Sequence, residues 1–220
     1  VSLPRTFDVR PVGVRTAPTR RLVQLLAGLA LYGFSMSLQV RATLGLDPWD
    51  VLHDALSRRT GLTFGTITAI TGAAVLLLWF PLRQRPGIGT VCNVLVIAVT
   101  VDAGLALLTT PDNLVGRILF LVGGVVLNGV ASAAYIGARL GPGPRDGLMT
   151  GINARTGWSI RLVRTTIEVT VLLTGWLLGG TVGIGTVVYA VAIGPLVQAF
   201  LPLLAWRARP ETGAHAVDVP

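Results

Sequence analysis

Charge is scarce in this chain. Only 13% of its 220 residues are Asp, Glu, Lys or Arg, 52% are hydrophobic and the mean hydropathy is +0.70. Soluble domains carry roughly 25% charged residues, so a water-facing surface over the whole chain is excluded and an integral membrane protein is indicated. Lysine is absent altogether: all 18 basic residues are arginine. They stand at the ends of apolar segments rather than in a basic stripe interleaved with aromatics, which removes nucleic acid as a partner despite a net charge of +8. Cysteine occurs once, as Cys92 inside an apolar run, so there is neither a disulfide framework nor a Cys/His zinc spacing. No nucleophile elbow, Walker loop, His-Glu-x-x-His pair or paired-carboxylate arrangement is present. The expectation is a protein that is not an enzyme and carries no cofactor or metal.

What the chain does contain is a tandem repeat. Leu22 to Thr110 recur, without a gap, as Ile118 to Trp206 at an offset of 96. Leu44, Gly45, Pro48, Asp50, Leu52, Arg59, Thr60 and Gly61 return as Leu140, Gly141, Pro144, Asp146, Leu148, Arg155, Thr156 and Gly157. Gly87-Ile-Gly-Thr-Val91 returns as Gly183-Ile-Gly-Thr-Val187, and Gly28 and Gly33 as Gly124 and Gly129. The organisation expected is a disordered basic arm (1–21), a first repeat (22–110), a linker (111–117), a second repeat (118–206) and a tail (207–220). The arm carries Arg5, Arg10, Arg15, Arg20 and Arg21 with three prolines, a composition that does not pack.

Stretches apolar enough to cross roughly 30 Å of hydrocarbon fall at about Leu22 to Val40, Phe64 to Phe80, Ile88 to Leu108, Arg117 to Ile136, Ile160 to Leu178 and Ile184 to Ala205. That is three spans per repeat. An odd number inverts the second copy relative to the first, as in many transporters. The arm, Arg83, Arg85, Arg139, Arg145, Arg155, Arg161, Arg207 and Arg209 then share one face, which the positive-inside rule assigns to the cytoplasm together with both termini. The fold class expected is all-α: six transmembrane helices in two inverted three-helix repeats, each with an additional short amphipathic or re-entrant helix.

Those short helices lie between the first and second span of each copy, at Asp47 to Thr60 and Gly143 to Thr156. Asp47 or Gly143 suits the N-cap, Pro48 or Pro144 the first helical position, Asp50 or Asp146 the third, where it can accept orphan N–H bonds, and Gly61 or Gly157 the C-terminal stop. Trp49, Leu52 and Leu56 fall on one face and Asp50, His53, Asp54, Ser57 and Arg58 on the other. Asp50, His53 and Asp54 could converge on a divalent ion, but Met149 and Thr150 replace the last two in the second copy, so a solvated polar face is the better reading.

Asp102 and Glu168 are the acidic residues inside expected spans, where an ionisable group is costly unless it faces a cavity or a partner. Arg164 stands one turn before Glu168, so an i,i+4 ion pair competes with a pathway role. Asn93, Tyr189 and Gln198 either line the same polar path or bridge helices. The paired motifs Gly87, Gly89, Thr90 and Gly183, Gly185, Thr186 open the third span of each copy, either for close packing or for exposing N–H groups to an anion.

Leu44-Gly-Leu-Asp-Pro-Trp-Asp-Val-Leu-His53, Thr60-Gly61, Pro81-Leu82, Arg85-Pro-Gly-Ile-Gly-Thr90 and Asn93 through Asp102 resemble the YczE/YyaS group of bacterial multi-pass membrane proteins, itself similar to the YitT family. The resemblance implies a bacterial cytoplasmic-membrane protein and names no activity. The span count is also similar to that of six-helix solute-binding components of vitamin uptake systems, an analogy at the level of fold. Two functions are expected. One is a small-solute transporter or solute-binding component with its site between the repeats. The other is a non-transporting scaffold or regulator that supports secretion or a biosynthetic partner. The lipid bilayer is the partner of either, and a solute, a second membrane protein or a further copy of the chain completes the set.

Overall fold

With no water to satisfy N–H and C=O groups inside a bilayer, an apolar segment has to bond its own backbone, and each long apolar stretch here does so as a helix. The computed structural model describes residues 17–206. The remainder of the expected arm and the tail lie outside the described residues. Among those described there are eight helices: α1 (Pro18–Ala42), α2 (Pro48–Thr60), α3 (Phe64–Leu82), α4 (Ile88–Leu107), α5 (Leu114–Gly137), α6 (Pro144–Thr156), α7 (Ile160–Leu177) and α8 (Ile184–Leu204).

Five of them, α1, α3, α4, α5 and α8, are long and apolar enough to cross a membrane. Their outward faces carry side chains that only lipid would accept, with Phe80 89% and Leu203 78% exposed. The sixth expected span, α7, does not join that set. It is 18 residues long and includes Arg161, Arg164 and Glu168, too many charges for so short a window.

Two boundaries differ from those read in the sequence. α1 begins at Pro18, inside the expected arm, because Arg21 is buried and works as a clamp. Its Nε donates to the Ala138 carbonyl at 2.9 Å, its Nη2 to that of Arg139 at 2.9 Å, and its guanidinium lies 5.2 Å from the Trp206 ring centre. α5 begins at Leu114, inside the expected linker, because the Asn113 side chain accepts from Gly116 N at 2.7 Å and caps the helix there.

α1 and α5 form the centre and run antiparallel: Arg21 meets Ala138, Gly28 meets Ala131 and Tyr135, and Gly124 meets Gln39. A Cβ on Gly28 would stand 2.9 Å from Tyr135 N, so glycine sets how closely the two helices approach. α4 packs on α1, and α8 on α5. Leu25, Leu29, Met36, Ile97 and Val101 fill the first of these contacts, and Ala42, Leu121, Val125 and Ile193 the second. At one end of the bundle Gly89 N donates to the Leu140 carbonyl at 3.0 Å, and at the other Gly185 N donates to that of Leu44 at 2.7 Å.

The short helices cross between the two sequence units. α2 packs along α7, and α6 along α3. Their first turns meet, with Trp49 and Leu148 in one buried cluster that includes Val75 and is flanked by Ile167 and Val171. From that meeting point they diverge. α2 ends beside the C-terminus of α7, where Arg59 Nε donates to the Leu178 carbonyl at 2.8 Å, and α6 passes Leu82 and Gln84 at the C-terminus of α3.

Candidate functional site: a polar cavity between two short helices

Where the first turns of α2 and α6 meet, the bundle holds a part-open cavity of about 290 Å³ that takes lining residues from all eight helices. Local sequence builds its polar wall. Pro48 and Pro144 occupy the first helical positions, and Gly61 and Gly157 close the C-termini with φ of +73° and +71°. Asp47 caps α2: its Oδ1 accepts from Trp49 N at 2.8 Å and from Asp50 N at 2.9 Å. The second oxygen of Asp47, Oδ2, is buried and has no hydrogen-bond partner.

Asp50 bonds a side chain rather than the orphan N–H groups expected of the third position. His53 Nδ1 lies 3.0 Å from its Oδ1, with Thr68 Oγ1 at 3.4 Å from the same ring nitrogen. Asp50 Oδ2 is likewise buried without a partner. Arg145 reaches across from α6 and stacks 4.8 Å from the Trp49 ring centre. Its terminal nitrogens stand 3.9 Å from Asp47 Oδ1 and 3.9 Å from Asp50 Oδ1, close enough for attraction and too far for hydrogen bonds.

Opposite them the Tyr135 hydroxyl donates to Asp146 Oδ2 at 3.0 Å, and Arg164 Nε donates to Glu168 Oε1 at 2.8 Å. Tyr189 donates to Asn128 Oδ1 at 3.0 Å, while Asn128 Nδ2 donates to Ser35 at 2.8 Å, so that wall is held between α1, α5 and α8.

The cavity thus gathers most of the residues singled out in the sequence. Asn93, Arg164, Glu168, Tyr189 and Gln198 line it, as do Pro48, Trp49, His53, Pro144 and Asp146, with Asp50 directly behind. Asp102 is elsewhere, on α4 beside the start of α3. It accepts from Gly65 N at 2.7 Å and from Thr63 Oγ1 at 2.5 Å. The glycine motifs are also outside the cavity, with the N–H groups of Gly89 and Gly185 spent on Leu140 and Leu44. Thr90 Oγ1 accepts from Gly87 N at 3.1 Å and Thr186 Oγ1 from Gly183 N at 3.3 Å.

The polar face of α2 is solvated only toward its end, where Ser57 is half-buried and Arg58 exposed. Asp50, His53 and Asp54 are all buried. The reason is that these three residues meet the α7–α8 loop and α3: Asp54 Oδ2 accepts from Thr181 N at 2.9 Å and Thr181 Oγ1 at 2.7 Å, while His53 packs edge-on against Phe64. Among the described residues no group of three or more His, Cys, Asp or Glu side chains is placed to hold a metal.

Sequence reading passed over Asp47 as more than a cap, and over Tyr32, Tyr135, Arg145, Met36 and Met149. A signal was available. The chain has three tyrosines and two methionines, and every one of them lines this cavity. Arg145 was marked too, since it stands where the repeat offset puts the counterpart of Trp49.

Comparison with known proteins finds uncharacterized relatives, one of them named as a membrane protein. An uncharacterized protein of Haemophilus influenzae is 40% identical over 190 residues, 86% of this chain and 87% of its own. The uncharacterized membrane protein YczE of Bacillus subtilis is 37% identical over 180 residues, covering 80% of this chain and 83% of YczE. YyaS of the same organism is 24% identical over 181 residues, 80% of this chain and 90% of its own. No solved structure matches the chain. Residues 19–202 match a family described as one of unknown function, DUF6198, and the chain belongs to that family of multi-pass membrane proteins homologous to YczE and YyaS.

Proposed function

We propose that this protein is a small-solute transporter or solute-binding membrane component whose site is the cavity between α2 and α6. One observation carries the reading. In a chain with so little charge, Asp47, Asp146, Glu168, Arg145 and Arg164 line one cavity, with Asp50 behind its wall and the Arg164–Glu168 pair at its more exposed side. Each would cost several kcal/mol in hydrocarbon without a cavity or partner to face, and a purely structural bundle has no need of them.

The arrangement of the helices supports a pair of inverted repeats. The offset of 96 maps α1 to α4 onto α5 to α8, α1 runs antiparallel to α5, and the packing of α2 on α7 is matched by that of α6 on α3. On this reading α7 is the sixth span, with Arg164 and Glu168 paired to each other beside the cavity and Arg161 at its end, and α2 and α6 are half-helices entering from opposite faces. Arg20, Arg21, Arg83, Arg85, Arg139, Arg155 and Arg161 gather toward the end where α1 begins, which makes that end cytoplasmic. The work is binding and passage, with no covalent step.

Cysteine labelling tests this. In a Cys92→Ala background, single cysteines at Thr71 and Ser132, which line the cavity, should react with a water-borne thiol reagent in membranes. A cysteine at Leu119, which is 65% exposed on the outer surface, should be shielded by lipid. Cavity cysteines as unreactive as the Leu119 control would mean a dry core and would remove the solute path.

A further inference from the structure

We infer that the cavity takes a small organic cation, an amine or quaternary ammonium compound, with its charged group toward Asp47 in the wall and Asp50 behind it. The inference rests on the solute-binding reading above and gives it a ligand class. The charge count comes first. Asp47, Asp50, Asp146 and Glu168 outnumber Arg145 and Arg164 by two carboxyl groups around a part-open space. His53 does not reduce it, because one N–H directed at Asp50 Oδ1 satisfies the contact with a neutral ring.

The position of the excess follows from the unpartnered atoms. Arg145 attends only the Oδ1 edges of Asp47 and Asp50, while Oδ2 of each is buried without a hydrogen bond. A buried carboxylate oxygen left unpaired is costly. A cationic donor removes that cost, and an anion would add to it. Asp47, 2% exposed, is itself part of the cavity wall.

The remaining lining selects the kind of cation. Hard metal ions require about six oxygen ligands, and two carboxylate edges do not provide them. The space beside those edges is instead walled by Tyr32, Tyr135, Tyr189 and Trp49, with Met36 and Met149. Tyr32 and Tyr135 meet at 76° with centroids 6.0 Å apart, an aromatic corner of the type that attracts ammonium groups through ring faces. A cavity of about 290 Å³ confines the solute to small-molecule size.

The test uses the full chain in detergent with n-butylammonium, butyrate and n-butanol as probes, in sodium chloride of constant ionic strength. Thermal unfolding and tryptophan fluorescence report binding. Butylammonium should raise the unfolding temperature and saturate, whereas butyrate and butanol should not. Asp47→Asn, which keeps a good N-cap, should raise the butylammonium Kd at least tenfold, and Tyr32→Leu should raise it several-fold while both variants unfold near the parent temperature. Stabilisation by butyrate that is lost in Arg145→Gln overturns the cation assignment. So does an equal response to sodium alone, unchanged binding in Asp47→Asn, or no response to any probe. Labelling of the Thr71 and Ser132 cysteines in the same preparation separates the two ideas. Reactive cysteines without cation binding would remove only the ligand class, and unreactive ones would remove the cavity with it.

Discussion

Asp102 and Asp47 are both acids in an apolar chain, and their surroundings give them opposite work. Asp102 uses both oxygens on the start of α3, bonding Gly65 N and Thr63. Asp47 spends one oxygen on α2 and leaves the other toward the cavity. Asp102→Ala should therefore lower stability by about 1–3 kcal/mol, the cost of stranding a backbone donor, seen as a lower unfolding temperature. Labelling of the Ser132 cysteine should be unchanged in that variant. If the stability held and the labelling collapsed, Asp102 would belong to the cavity after all. The sequence marked Asp102 correctly as an acid in hydrocarbon and gave no means of placing it, because its partners stand 37 and 39 residues away and the register of α3 on α4 decides them. Glu168 was more legible, since Arg164 one turn earlier is a local partner and the pair forms at 2.8 Å.

At the scale of elements the loop before α2 makes a close backbone approach to the start of α8. Gly45 has φ +115°, a region closed to other residues, and a Cβ there would stand 2.7 Å from Gly183 N. Gly61 also has positive φ, at +73°, but a Cβ added to it would meet nothing. Gly61→Ala should cost about 1 kcal/mol of strain alone. Gly45→Ala should cost more than about 2 kcal/mol, because collision with backbone is added to strain. Comparing their unfolding temperatures checks the difference, and equal losses would mean that the Gly45–Gly183 approach is not tight. Caps and stops of α2 and α6 were readable because Asp, Pro and Gly act on their own backbone within one turn. Burial of Asp50, His53 and Asp54 was not, because it depends on Thr181 and Phe64, which the chain brings up from the α7–α8 loop and from α3.

For the whole molecule, the repeat offset made the number and order of helices legible well ahead of their packing. The exchange of α2 and α6 between the two units is a long-range choice that periodicity does not encode. That exchange leaves α7 in an unusual position. It is held by α2 and α6, without the broad packing that α4 gives to α3, and it buries only Val163 and Gly175 where α1 buries ten residues. Yet α7 supplies Arg164 and Glu168 to the cavity wall. Segments with few buried contacts open at the lowest free energy, so the wall that yields first should be α7. Backbone amides of Ile160–Leu177 should exchange with deuterium well before those of α1 and α5 in detergent, by at least tenfold at matched positions. Binding a solute that bridges Asp47 to the opposite wall should slow α7 and leave α1 unaffected, since α1 is already held by α4 and α5. Uniform exchange across all the helices would assign the opening to a rigid-body separation of the two units, with α2 and α6 carried apart, in place of a movement of α7.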